Sequence, residues 1–139
     1  MNQFVTEQLI YVLRLVAAAL CGGLIGCERQ SKKKTAGTRT HVIIAVASAM
    51  MIISKYGFGD VLNEYVKLDP SRVAAGVVTA IGFIGSGIII FRNNSVNGIT
   101  TSTGIWATVV WGMSMGAGMY ILGDVSTASV LLSELFLGR

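Results

Sequence analysis

With 139 residues, 53% of them hydrophobic and only 13% charged, the chain has too little polar surface for a water-soluble domain of its size. A formal charge of +4 would suit nucleic acid, but the basic residues sit in short segments between apolar runs, so they read as topology signals and no nucleic-acid partner is expected. A membrane-crossing helix takes about 20 residues, which leaves room for four or five spans and none for a second domain.

The first apolar run covers residues 9–27 and is broken only by Arg14. It follows Glu7 rather than a basic flank, an order that predicts a retained span and not a cleaved signal peptide. Cys21 and Cys27 stand six residues apart within it; that spacing does not stack them on one helical face, and no disulfide is expected. Residues 28–39 form a polar connection holding five of the eleven basic residues.

The second span is read at residues 40–56. His41 opens it in an interfacial position, and Tyr56 and Phe58 suit the headgroup region at its other end. A polar loop follows over residues 57–71, and its Asp69-Pro70-Ser71 has the form of a helix start with proline in the first turn. Residues 72–91 make the third span. Residues 92–98 make an asparagine-rich turn, and residues 101–122 an uncharged fourth span. The run 125–138, interrupted by Glu134, either crosses as a fifth helix or lies in the interface. The fold class is therefore an all-α integral membrane bundle of four to five short transmembrane helices.

Orientation follows from charge. With the first span ending in the cytoplasm, Arg29, Lys32, Lys33, Lys34, Arg39, Arg92 and Arg139 lie inside, against Lys55, Lys67 and Arg72 outside. The positive-inside rule then places the N-terminus outside.

In lipid the hydrophobic effect cannot drive helix onto helix, so small residues that let backbones approach carry the packing. Gly22 with Gly26, Gly82 with Ser86, and Gly112 with Gly116 supply three small-xxx-small pairs. They are expected to build the bundle; a homodimer or larger oligomer face uses the same chemistry. Met50, Met51, Met113, Met115 and Met119 are expected to pack or face lipid rather than ligate a soft metal.

Charges inside a membrane are costly, and each marks a candidate site. Arg14 either snorkels to the outer interface or pairs within the bundle. Glu28 and Arg29 end the first span together, and Arg39 across the loop is the expected partner for Glu28. Asn97, Gly98, Thr100, Thr101 and Thr103 gather amide and hydroxyl groups at the start of the fourth span. They serve as caps, or line a polar pocket near Glu28 and Arg39 fit for a small ion, a headgroup or a partner's side chain. No nucleophile-base order, paired carboxylates, phosphate loop or metal cluster is found, so neither an enzyme nor a cofactor is expected. The middles of the spans carry no Asp, Glu or Lys, which disfavours a conventional proton-driven carrier.

Leu13-Arg14-Leu15 with Gly22, Gly26, Glu28 and Arg29, followed by Ala36-Gly37-Thr38-Arg39-Thr40, resembles the opening signature of the MgtC/SapB family of bacterial membrane proteins. Arg72-Val73-Ala74-Ala75 with Gly82-Phe83-Ile84-Gly85-Ser86-Gly87, and Val96-Asn97-Gly98-Ile99-Thr100-Thr101-Ser102-Thr103 with Trp106, resemble its third and fourth spans. The resemblance implies a multi-pass bacterial inner-membrane protein associated with low magnesium and survival inside host cells. In some members it implies action on a membrane partner such as ATP synthase, or on membrane potential or phosphate uptake. It also implies that longer members carry a further cytoplasmic domain. The positions it brings forward are Glu28, Arg29, Gly37, Arg39, Asn97 and Thr101. These point to a protein that binds a partner or small ion at the cytoplasmic helix ends, with membrane lipid around it. A transporter or channel for magnesium or another ion is the alternative, and magnesium stays open as a ligand.

Overall fold

The computed structural model describes residues 2–62 and 69–137, the side chains of residues 55–62 excepted. Five helices follow one another: α1 (Asn2–Ser31), α2 (Thr38–Leu62), α3 (Pro70–Ile88), α4 (Ile99–Gly116) and α5 (Tyr120–Leu137). A small hairpin, β1 (Ile90–Arg92) with β2 (Ser95–Asn97), lies between α3 and α4. The expected positions of Lys55, Tyr56, Phe58, Lys67 and Arg139 fall outside the described side chains.

The first helix is longer than the span read from hydropathy, since polar Asn2, Gln3 and Thr6 continue the helix toward the N-terminus. Likewise α2 runs on through Leu62, into residues expected to be loop. The start of α3 follows its local chemistry: Asp69 is the N-cap, its carboxylate accepts from the Ser71 backbone N–H at 2.9 Å, and Pro70 occupies the first turn.

Two boundaries differ more. The asparagine-rich turn is a β-hairpin, because Asn93 and Asn94 both take positive φ (49° and 61°) and so form the kind of two-residue turn that matches strand twist. After it, Gly98 at φ 93° starts α4, and a Cβ there would run into the Ile88 carbonyl. The fourth helix ends at Gly116 rather than 122. Gly118 turns the chain at φ 78°, and α5 begins at Tyr120, five residues earlier than 125. At 18 residues α5 is about 27 Å long, enough to cross a hydrocarbon core.

α1, α3 and α5 are long and apolar enough to cross a membrane. α4 is not among them: it is rich in threonine, serine and glycine, and of these Thr101, Gly104, Thr108, Gly112 and Gly116 are buried in the bundle. It is the hub of the bundle, touching α1, α2, α3 and α5. Around it the outer helices expose large apolar side chains such as Phe83 (84%), Ile121 (81%) and Leu137 (82%), a surface that needs lipid rather than water. Hydroxyls on these helices satisfy themselves: Thr79, Thr103, Ser114, Thr127 and Ser129 each donate to the carbonyl one turn back.

The glycine pairs divide. Gly22 and Gly26 seat α1 on α2, where an added Cβ would stand 2.7 Å from the His41 carbonyl oxygen and 2.5 Å from the Thr38 Cα. Gly112 and Gly116 seat α4 on the other side of α2, against the Ala45 and Ala49 carbonyls. α2 is thus clasped between two glycine faces that meet at Ala45, and Ala45 and Ala49 form one core cluster with Ala18, Cys21 and Met115. Gly82 and Ser86 do not join the bundle: nothing approaches Gly82 within 4 Å, and both face outward. The contact of α3 with α4 is made instead by Gly85 against Ser102, beside a second cluster of Ala36, Ile81, Ile105 and Val109.

Candidate functional site

The bundle's least expected interior feature is a cationic side chain. Arg29, in the last turn of α1, is 1% exposed. Its guanidinium lies against α4 where Gly104 leaves space, since a Cβ at that glycine would stand 3.2 Å from Nη2. Buried charge requires a partner, and two carboxylates supply it. Nη2 donates to Glu134 Oε1 on α5, and Nε stands 3.7 Å from Glu28 Oε2.

Lys32 closes the cluster from the rim. Its ammonium is 2.7 Å from Glu28 Oε1, one turn away on α1, and also donates to the Glu134 backbone oxygen at 2.7 Å. The Glu28 contact is ionic in distance without hydrogen-bond geometry, so both carboxylate oxygens lack a directed donor. Glu28 and Glu134 are 11% and 16% exposed.

Beneath this cluster lies a neutral relay of hydrogen bonds. His41, wholly buried, makes a 2.7 Å contact between Nδ1 and Thr108 Oγ1. The Thr108 hydroxyl donates to the Gly104 carbonyl at 2.8 Å, so Nδ1 is the donor toward Thr108 and Nε2 is left as an acceptor. Nε2 and Arg29 Nη1 both lie buried without a hydrogen-bond partner.

Placed on this geometry, the sequence-derived residues separate. Glu28 and Arg29 lie together in the last turns of α1, 3.7 Å apart at their nearest charged atoms. Arg39 does not complete them: it is exposed at the start of α2, and the cations at Glu28 are Arg29 and Lys32. Gly37 packs against Gln30 and accepts from the His41 N–H, and Gln30 Oε1 accepts from the Thr38 N–H at 3.3 Å. With Arg39 and Thr40 these residues line a shallow polar recess. Asn97 is exposed on β2 and donates to Ser95, Thr100 and Thr103 are exposed, and Thr101 is buried. Thr101 is thus turned into the bundle while Thr100 and Thr103 point away from it, because a helix turns successive residues to different faces. His41 is a core residue rather than an interfacial one.

Arg14 is resolved as a bundle contact. Nη1 donates to the Gly116 carbonyl at the end of α4 at 2.9 Å, beside the Tyr11 ring and Gly118. Both cysteines are free, Cys21 buried and Cys27 exposed, and Met115 is core packing.

The residues that hydropathy reading passed over are Glu134, Gly104, Thr108 and Lys32. Glu134 had a signal: it is the one carboxylate in an otherwise apolar run, the situation in which a partner inside the bundle is required. Gly104 had none, since only the approach of α1 gives it meaning.

Fold and site together define a helical membrane protein with a buried ionic cluster at one end. The chain belongs to the MgtC family, whose model matches residues 15–139. Among relatives, YhiD of Escherichia coli K12, named as a candidate magnesium transporter, is 52% identical over 124 residues, which is 88% of this chain and 58% of that protein. SapB of Bacillus subtilis is 37% identical over 91% of this chain and 56% of its own. MgtC of Salmonella typhimurium is 33% identical, again over 91% of this chain, and over 52% of its own. The chain thus spans little more than half the length of these curated relatives. No solved structure matches it.

Proposed function

We propose that this chain is a multi-pass bacterial inner-membrane protein of magnesium adaptation, with its N-terminus outside, that engages a partner at the Arg29 end of the bundle and does no enzymatic chemistry. The observation that carries this reading is the guanidinium standing between Glu28 and Glu134. A magnesium site needs a near-octahedral set of oxygens, usually with carboxylates among them. Here both carboxylates of the cluster already face cations, so the arrangement suits recognition of another protein's charge better than passage of a metal ion. Lys32, Lys33, Lys34, Arg39 and Arg92 belong to this end of the bundle, which supports its cytoplasmic placement. The outward-facing Gly82 and Ser86 are the small-residue surface we assign to a homodimer or larger oligomer.

The second reading, transport of magnesium, is favoured by the name of the YhiD relative. Magnesium entry into proteoliposomes, followed with an entrapped indicator, separates the two. The expected result is no entry above protein-free vesicles, together with restored growth of deficient cells at limiting magnesium by the wild type and not by Glu28→Ala at equal membrane abundance. Entry that vanishes on Glu28→Ala would replace the partner reading with transport.

A further inference from the structure

We propose that the buried Arg29 guanidinium is a carboxylate-recognition site whose resident occupant is Glu134 of the chain's own α5, and that α5 lifts away to yield the site to an acidic side chain on a partner's membrane helix. This deepens, and rests on, the partner reading above.

The first observation is that the resident occupant fills the site incompletely. A guanidinium is built for two parallel contacts with one carboxylate. Glu134 takes only Nη2, Glu28 stands 3.7 Å from Nε, and Nη1 has no hydrogen-bond partner although the residue is 1% exposed. A carboxylate that approached Arg29 end-on would satisfy more donors than Glu134 does.

The second observation is how α5 is held. It packs on α4 and α1, and its fully buried residues, Gly123 and Thr127, both lie in its first half. Beyond them Val130 and Leu131 are half-buried. The polar attachment of its second half is Glu134 alone among the described residues, through its carboxylate to Arg29 and its backbone oxygen to Lys32. The connection to α4 is the short turn at 117–119 with Gly118 in the left-handed region. α5 is therefore hinged at one end and latched at the other by one carboxylate.

The chemistry of the incoming partner is given by what it replaces. Arg29 is closed off from water, and Gly104, His41 and Thr108 form a fixed wall on its α4 side. Access opens on the side α5 covers, where exposed Leu132, Leu135 and Phe136 mark a lipid-facing surface. The group that fits is an apolar helix bearing a carboxylate near one end, as α5 bears Glu134 toward its C-terminus.

The test uses the full chain in lipid nanodiscs and a synthetic helix with the sequence of residues 119–137 carrying a photoreactive group, made with Glu134 or as E134Q. The lock is Thr127→Cys with Cys27→Ser: the Cys21 thiol lies against the Thr127 hydroxyl, so oxidation ties α5 to α1. The Glu helix is expected to crosslink to α1 about tenfold more than the Gln helix. Oxidation of the lock is expected to abolish capture, and reduction to restore it. Equal capture of the two helices, or capture that ignores the lock, overturns the proposal. If capture fails while Glu28→Ala still abolishes rescue at low magnesium, the latch falls and the partner reading stands. If capture behaves as expected while rescue is indifferent to Glu28, the site is upheld and the magnesium role is what fails.

Discussion

Each end of the bundle sets an arginine of α1 against α4, half-buried Arg14 at one and fully buried Arg29 at the other, and the two are neutralised by different means. Arg14 meets the C-terminal end of α4, where the Gly116 carbonyl accepts its Nη1 at 2.9 Å. Open carbonyls and the negative end of the helix dipole welcome a cation there. Arg29 meets α4 toward its N-terminal end, at Gly104, where the dipole has the opposite sign. It needs full charges instead, and takes them from Glu28 and Glu134. The same residue type is a cap at one end and a charge problem at the other, solved there by importing a carboxylate from a separate helix. That difference is why the functional reading falls on the Arg29 end.

The sharpest way to break this comparison is to remove the imported carboxylate. Glu134→Ala leaves Arg29 buried with one distant counter-charge and is expected to cost about 3–5 kcal/mol. Arg29→Met with Glu134→Leu should recover most of that loss, because apolar packing of similar volume replaces a buried ion pair well. Unfolding by steric trapping in bicelles measures both; a double variant no better than Glu134→Ala would show that the cluster is not the coupled unit described. At the other end, Arg14→Met forfeits one charge-assisted bond and is expected to cost about 1.5–3 kcal/mol, with rescue at low magnesium unchanged at equal abundance. Loss of rescue by Arg14→Met would place function at both ends.

Smaller effects sharpen the packing contrast. Gly26→Ala presses a Cβ onto the Thr38 backbone, an overpacking worth about 1–3 kcal/mol. Gly82→Ala meets open space, and its effect on monomer stability is expected within about 0.5 kcal/mol. Equal costs in the same unfolding assay would mean that α3 packs through Gly82 after all.

Much of the fold was legible in the sequence because lipid leaves so few options: apolar runs of the right length give helices, Asp69-Pro70 gave the start of α3, and Gly22, Gly26, Gly112 and Gly116 gave the two faces that clasp α2. Legibility failed where meaning depends on the neighbour. Gly82 and Gly85 look alike in sequence, and only Ser102 across the interface distinguishes them. The break at 117–119 was hidden because hydropathy continues through it while the backbone turns at Gly118. At the site, the desolvation of Glu28 at the end of the first span is legible, but closeness in the chain points to Arg39 as its partner where the structure supplies Arg29 and Lys32. The second carboxylate at Arg29, Glu134, comes 105 residues after it, a distance no local pattern reports.

The most direct test of the central claim is growth of deficient cells at limiting magnesium with the Arg29→Met, Glu134→Leu variant at wild-type membrane abundance. Its fold is expected to be intact and its rescue lost, which would make the charges at this end a recognition site rather than a fastening. Full rescue by the apolar variant would contradict the account, because the cluster would then serve only to hold α5 to α1.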